Sequence, residues 1–426
     1  MERVSATRYM EEGRIADISG EFLPGLINLD EDITHVLDVL CSGGYGAWVV
    51  GGAVRDSILG KAPSEFDICT DATPEQVIES FEETIPTGIK FGTITVKSGD
   101  SQYEVTTLRT ETGYGDGRRP DVVEWGTSLA IDLSRRDFTM NAMAYDCSRE
   151  LLHDPFGGKE DLATGNLRAV GDAQNRLSED GLRIMRAYRF MDRQEKGIWK
   201  PDKELAAALI DNRAMLALVS IERVWSELER IILGTNAGIV LARMNRDGVL
   251  PAIIGYSVPL VKFELLTEAP RDLESRIAIL MSSLKSLELN GILTRLKASN
   301  KTIKRAKLLH FLIHNTPHKN ELRLYRKVIG DEVKTHSALL SLMDSENELV
   351  DKALEYPKDV DCLIDGEWLM AKTGLNPGMR LGRLKDWLYR IQIERGYTSL
   401  SQIETALCTI TWNHGEPEDW PKPIWP

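Results

Sequence analysis

A change of texture at Gly157-Gly158 constrains this chain more than any other feature. Before it, short β-branched and apolar runs are punctuated by glycines and turn residues. After it, to about residue 405, apolar residues recur at helical spacing. The expected fold class is therefore α+β: a mixed α/β head with a small sheet, followed by an all-helical remainder. At 426 residues and 42% apolar content the chain can bury several cores, enough for roughly two to four domains.

Within the head, residues 30–41 read as a helix ending near Gly43-Gly44. Ala47-Trp48-Val49-Val50 is a short apolar strand, followed by Gly51-Gly52 and a helix to Leu59, with Gly60 just past its end. Residues 66–69 read as a second strand. Thr73-Pro74-Glu75-Gln76 has the form of a capping box with proline at the first helical position. Residues 93–97 and 102–109 read as a hairpin around Ser98-Gly99-Asp100. The closing GEPEDWPKPIWP, with four prolines and two tryptophans, reads as an extended tail.

Charge and cysteine usage narrow the function class. No apolar run approaches the roughly 20 residues of a spanning helix. The opening MERVSATRYMEEGRIADISG lacks the apolar core and cleavage site of a secretory signal. Cys41, Cys69, Cys147, Cys362 and Cys408 are dispersed without zinc spacing, which fits a reducing compartment and a cytoplasmic location. A net charge of −13 argues against a polyanionic partner, yet residues 295–327 hold ten Lys and Arg against Glu321 alone. That island is either a solvated helix face or a phosphate-binding patch, with Lys301, Lys304 and Arg305 its candidate contacts.

The chemistry concentrates in Gly51-Gly52-Ala53-Val54-Arg55-Asp56 and the nearby Glu65-Phe66-Asp67. Two glycines after a strand let the backbone approach a phosphate chain, and the next helix N-terminus supplies amide donors. Glu65 and Asp67, two apart on a strand, should point to one face. Two such carboxylates can hold a pair of Mg²⁺ ions, hard cations that prefer oxygen and bridge substrate phosphates. Glu104, on the following hairpin, is a candidate third carboxylate.

This run, with Leu59-Gly60 between its halves, resembles the signature of the class II tRNA nucleotidyltransferase and bacterial poly(A) polymerase family: GGxVRD, LG, DxD. Glu65 departs from the family aspartate, keeping the charge but adding a methylene that can shift metal placement. Arg109-Thr110-Glu111, Tyr114 and Asp116-Gly117-Arg118-Arg119-Pro120 are similar to the family's flexible loop. Arg135-Arg136-Asp137, with Asn141 after it, resembles its ribose-binding motif, and Asp154-Pro155-Phe156-Gly157-Gly158 its hinge. Glu179-Asp180-Gly181-Leu182-Arg183 resembles its EDxxR element, and the stretch after Ser220 its last neck helix. Beyond about residue 235 the clearest echo is Ser299-Asn300-Lys301.

The resemblance implies a nucleotidyltransferase head over 1–150, a nucleotide-selecting helical neck over 151–270, a tRNA-binding helical body over 271–345 and a tail over 346–426. It implies catalytic roles for Glu65, Asp67 and Glu104, with Glu65 and Asp67 as ligands to two Mg²⁺ ions. Nucleotide binding would fall to Gly51, Gly52, Arg55, Arg135, Asp137, Asn141, Asp180, Arg183, Arg186 and Arg189. Arg109, Asp116, Arg118 and Arg119 would serve the loop, and Lys301, Lys304 and Arg305 the RNA. Asp137 would accept a hydrogen bond from the ribose 2′-hydroxyl. Asp180 and Arg183, three apart on a helix, would share a face, the bland alternative being a mutual salt bridge. An aspartate accepting from the amine of cytosine or adenine, beside an arginine donating to the ring nitrogen, would refuse uracil and guanine.

The implied activity is addition of C, C and A to the tRNA 3′ end from CTP and ATP, without a nucleic-acid template. A-only addition and poly(A) synthesis share these motifs and stay open, as does a non-catalytic RNA-binding relative, which Glu65 favours. His153-Asp154, the only His-Asp pair, falls in the hinge turn, so no phosphohydrolase activity is expected.

Overall fold

The computed structural model describes residues 13–112 and 122–426, and the chain divides into two compact units, Met1–Ser257 and Val258–Pro426. In the first unit, chain order gives β1 (Glu21–Phe22), β2 (Ala47–Val50), β3 (Asp67–Thr70), β4 (Thr84–Gly88) and β5 (Thr93–Ser98). There follow β6 (Ser101–Thr107), β7 (Arg109–Thr112), β8 (Val122–Trp125), β9 (Ala144–Asp146) and β10 (Leu151–His153). Eight of them form one sheet in the order β1-β10-β9-β2-β3-β6-β5-β4, and β7 pairs with β8 as a separate ribbon. Among the described residues the parallel pair in that sheet is β3 with β6; its other pairings are antiparallel. β2 takes a central place because all four of its residues are buried, leaving no polar face for water.

The helices α1 (Glu31–Ser42), α2 (Gly52–Ile58), α3 (Pro74–Ser80) and α4 (Leu129–Ser134) complete the head. Asp30 caps α1 by accepting from the Ile33 amide at 3.0 Å, and Ile33, Val36, Leu37 and Leu40 form its buried stripe. The Thr73–Gln76 capping box forms in both directions. Trp48, Val50, Cys69, Leu108, Leu129, Leu133 and Ala144 share a core, with Ala16, Ile18 and Phe156 at its margin.

The break in texture at Gly157-Gly158 has a steric cause. A Cβ on Gly158 would stand 2.3 Å from the Thr139 carbonyl oxygen, so only glycine lets the chain pass there. Beyond it lie α5 (Gly158–Thr164), α6 (Ala173–Glu179), α7 (Leu182–Met191), α8 (Lys203–Asp211), α9 (Ile221–Ile232), α10 (Ala237–Arg246) and α11 (Val249–Ile254).

The second unit is helical among its described residues. Its elements are α12 (Leu260–Glu268), α13 (Leu273–Leu280), α14 (Ser286–Arg295), α15 (Asn300–His314) and α16 (Leu322–Ile329), then α17 (Glu332–Leu342), α18 (Glu348–Ala353), α19 (Gly366–Thr373), α20 (Met379–Arg395) and α21 (Leu400–Thr409). The proline-rich end is extended apart from one short turn, and it is pinned. Trp420 is buried with Leu369, Leu384 and Leu388, while the Trp425 ring lies 4.7 Å from that of Tyr325. Among the described residues no helix is long and apolar enough to cross a membrane.

Candidate active site

The first unit holds an open cleft of about 510 Å³. Its lining joins Gly51, Gly52 and Arg55 from α2, Glu65 and Asp67 from the approach to β3, and Arg135, Arg136, Asp137 and Asn141 after α4. From α7 and its start come Asp180, Leu182, Arg183, Arg186, Arg189 and Phe190, and from α9 comes Arg223. Segments more than 150 residues apart in sequence thus meet at one place. Seven arginines and four carboxylates line it, so its polar groups are mostly guanidiniums that can meet phosphate oxygens.

At one end Gly51 caps α2 with φ +69°, and a Cβ there would come 3.1 Å from Arg136 Nη1. The acids sit beside it. Asp67 opens β3 and stands directly opposite Glu104 on the parallel strand β6. Glu65 lies before the strand rather than in it, on the extended approach, yet shares the cleft wall with Asp67. Desolvation raises the Asp67 carboxyl above its ordinary range; Arg136 opposes this and Glu65 adds to it. Desolvation also raises Glu104, helped by the charges of Asp67 and Glu65. Three carboxylates that repel one another and offer hard oxygen donors fit a divalent cation. Among the described residues no three His, Cys, Asp or Glu side chains close into a metal cage.

The arginine wall is preassembled. Asp132, fully buried on α4, accepts from Arg135 Nη2 at 2.7 Å and from Arg136 Nη2 at 3.4 Å. Burial alone would raise the Asp132 carboxyl, but Arg135 and Arg136, with Arg109 behind them, hold it below its usual value. Arg55 donates to Asn141 Oδ1 at 2.8 Å, and Arg189 to the buried Glu227 at 2.6 Å. Phe190 separates three of these cations, with Arg55, Arg186 and Arg189 at 5.3, 5.3 and 4.1 Å from its ring centre.

Two expected roles change in the light of this geometry. Asp137 lines the cleft, but its oxygens already accept from the Phe138 amide at 2.8 Å, Asn141 Nδ2 at 3.1 Å and both Nε and Nη2 of Arg186 at 2.7 and 2.6 Å. Asp137 thus aims Arg186 and Asn141 while lining the cleft, and a ribose hydroxyl would share its oxygens with these donors. Asp180 is not on a helix with Arg183. It precedes α7 in extended conformation, because its Oδ1 accepts from the Leu182 amide at 2.9 Å and starts the helix there. Nor do the two pair with each other: Asp180 Oδ2 accepts from Arg223 Nη2 at 3.0 Å, while Arg183 engages Glu179 and the Arg135 carbonyl. Both still line the cleft.

The remaining candidates fall elsewhere. Arg109 lies on β7 near Asp132; Tyr114, Asp116, Arg118 and Arg119 lie outside the described residues. Lys301 and Lys304 are exposed on α15 in the second unit. Arg305 is already engaged, donating to Asp272 at 2.6 Å, Glu274 at 2.8 Å and Glu332 at 2.6 Å. Sequence reasoning missed Asp132, Phe190 and Arg223. Asp132 stands three and four residues before Arg135 and Arg136, a spacing that could have exposed it. Arg223 is 43 residues from Asp180 and carried no local signal.

The poly A polymerase head domain matches residues 47–168, and the probable RNA- and SrmB-binding site of polymerase A matches residues 200–257. The chain is 34% identical to the CCA-adding enzyme of Lactobacillus johnsonii, over 91% of this chain and 99% of that one. It is 40% identical to that of Listeria innocua, over 63% and 68%. The crystal structure of the Bacillus stearothermophilus CCA-adding enzyme in complex with CTP superposes with a TM-score of 0.73 at 27% identity, covering 89% of this chain and 96% of that one.

Proposed function

The chain belongs to the family of CCA-adding enzymes, and from that premise we propose that it adds C, C and A to the 3′ end of tRNA, taking CTP and ATP and releasing pyrophosphate. It is a nucleotidyltransferase. The observation that carries this reading is one cleft with carboxylates at a glycine turn and an arginine wall that ends at Asp180 and Arg183. We assign the head, neck, body and tail to 1–150, 151–270, 271–345 and 346–426, and the cytoplasm as the site of action.

The terminal 3′-hydroxyl attacks the α-phosphate of the bound nucleotide in line, and pyrophosphate departs. Glu65 and Asp67, with Glu104 beside them, would hold two Mg²⁺ ions, which supply a lowered hydroxyl pKa and neutralise charge on the leaving group. The Gly51-Gly52 turn brings backbone amides to the triphosphate. Arg55, Arg186 and Arg189, fixed around Phe190, neutralise its charge without having to be ordered first. Asp180, held by Arg223, keeps acceptor sites for an exocyclic amine, and Arg183 donates to the neighbouring ring nitrogen. Selection then needs no template strand.

The test is incubation with Mg²⁺ and tRNA lacking its last three nucleotides, with CTP, ATP or both, resolved at single-nucleotide length. The expected result is two additions with CTP alone and three with both. Addition of A alone or long A tracts would move the chain to its sister activities. No incorporation at all would return it to a non-catalytic RNA-binding relative.

A further inference from the structure

Ahead of α1, residues 13–26 run as a strap across the head. Gly13 and Arg14 hold to Arg149 and to the Tyr45–Asp71 region, and Ala16 and Ile18 pack on the core that includes Leu129 and Leu133. Further on, β1 joins the sheet edge at β10, and Glu21 pairs with Lys159 at 2.7 Å.

Between these two anchorages Asp17 does something different. Its carboxylate accepts from Ser128 Oγ at 2.5 Å, from the Leu129 amide at 2.9 Å and from the Ala130 amide at 3.3 Å. It is thus a second N-cap for α4, supplied from 112 residues away, on top of the local cap that Ser128 gives Ile131 at 3.2 Å. Burial works to raise the Asp17 carboxyl, but Ser128 and the amides outweigh it and hold it below its usual value. It is charged at neutral pH and favourably placed at a helix start. α4 is only six residues long, so its first turn cannot move without its last. In the same short helix, three residues past the capped Leu129, sits Asp132, the buried carboxylate that grips Arg135 and Arg136.

We propose that Asp17 is a positioning residue for the nucleotide cleft: by capping α4 it sets the place of Asp132, and through Asp132 the aim of Arg135 and Arg136. This rests on the nucleotide-binding reading above. The strap is then part of the catalytic head's wiring as well as its wrapping. Glu21 belongs to the same strap but reaches no part of α4, which makes it the natural control.

The experiment measures CTP affinity by calorimetry, steady-state constants and melting temperature for the full-length wild type, Asp17→Ala, Asp17→Asn and Glu21→Ala. Asp17→Ala should raise Kd and KM for CTP roughly fivefold to tenfold, the equivalent of one lost helix cap, with KM for tRNA unchanged. Asp17→Asn, which keeps an acceptor oxygen, should recover most of that loss. Glu21→Ala should leave CTP affinity at the wild-type value even if it melts earlier. If Asp17→Ala melts earlier yet binds CTP normally, or if Glu21→Ala weakens CTP as much, the strap is a mere brace and the proposal is overturned. If the wild type adds no nucleotide, the reading of the activity fails instead, and the CTP affinities still decide the role of Asp17.

Discussion

Every arginine that lines the cleft has an acid already in hand: Arg55 has Asp56, Arg135 and Arg136 have Asp132, Arg183 has Glu179, Arg186 has Asp137, Arg189 has Glu227 and Arg223 has Asp180. On α15, by contrast, Lys301 and Lys304 stand exposed, and among the described residues no ion pair engages them. Paired, half-buried guanidiniums are fixed in direction before a ligand arrives, so they can tell one base or one phosphate position from another. Exposed lysines are mobile point charges whose attraction is screened by salt and indifferent to orientation. On the proposed function, the same residue class would serve reading in one unit and holding in the other. Arg305 marks the border between the two kinds: it is on the lysine helix but caged by Asp272, Glu274 and Glu332.

The contrast breaks first at the acids. Asp67→Ala should lower single-turnover nucleotide addition by about 1,000-fold or more, since several kcal/mol of charge stabilisation go with a metal carboxylate and about 1.4 kcal/mol is tenfold. Activity within tenfold of wild type would remove Asp67 from the chemistry. Because Asp67 and Glu104 titrate above the ordinary carboxylate range, the rate should fall as pH drops through that raised range. Added Mg²⁺, competing with the proton, should carry the fall to lower pH.

Next in size is base reading. Asp180→Ala should cost about 1–3 kcal/mol of discrimination between CTP and UTP, the worth of a good bidentate base contact. Competition assays with both nucleotides measure it directly. An unchanged C-to-U ratio, with all nucleotides slowed alike, would leave Asp180 only its structural contacts to the Leu182 amide and Arg223.

A smaller and differently shaped effect belongs to the lysines. Reversing Lys301 and Lys304 to Glu should weaken tRNA binding and reduce the slope of log affinity against log salt by about one for each phosphate no longer neutralised. CTP affinity should stay put. Arg305→Glu should instead lower the melting temperature by leaving three carboxylates without their cation. A tRNA salt slope that ignores Lys301 and Lys304 would dissolve the contrast between the units.

The smallest change is expected at Glu65→Asp. With Glu65 on the extended approach to β3 rather than locked in the strand, either acid can reach the cleft, and kcat should stay within about threefold of wild type. A drop as deep as that of Asp67→Ala would mean that the extra methylene is required.

What could be read from the amino acids alone was local. The buried run of β2, the Thr73–Gln76 box, the glycine turn and the β5–β6 hairpin each announce themselves within a few residues, and each is found. The acids and the arginine stripe of α7 were legible by spacing. What was not legible is who holds whom. Asp180 is spoken for by Arg223 from another helix, and Asp132 depends on a cap from Asp17 near the start of the chain. A count of charges between 295 and 327 likewise says how many cations there are, not which way Arg305 turns.

The pairing of β3 with β6 bears on when this molecule becomes competent. Parallel neighbours cannot be joined by a tight turn, and here the connection that brings Glu104 beside Asp67 runs through α3, β4 and β5. Closing that excursion costs chain entropy before any pairing rewards it, so this step belongs to the slow part of folding. The acids therefore come together late, after the hairpin and the local helices. The arginine wall closes over longer loops still, 86 residues between Arg55 and Asn141, so neither half of the cleft is a local product of the chain and both await the assembled head.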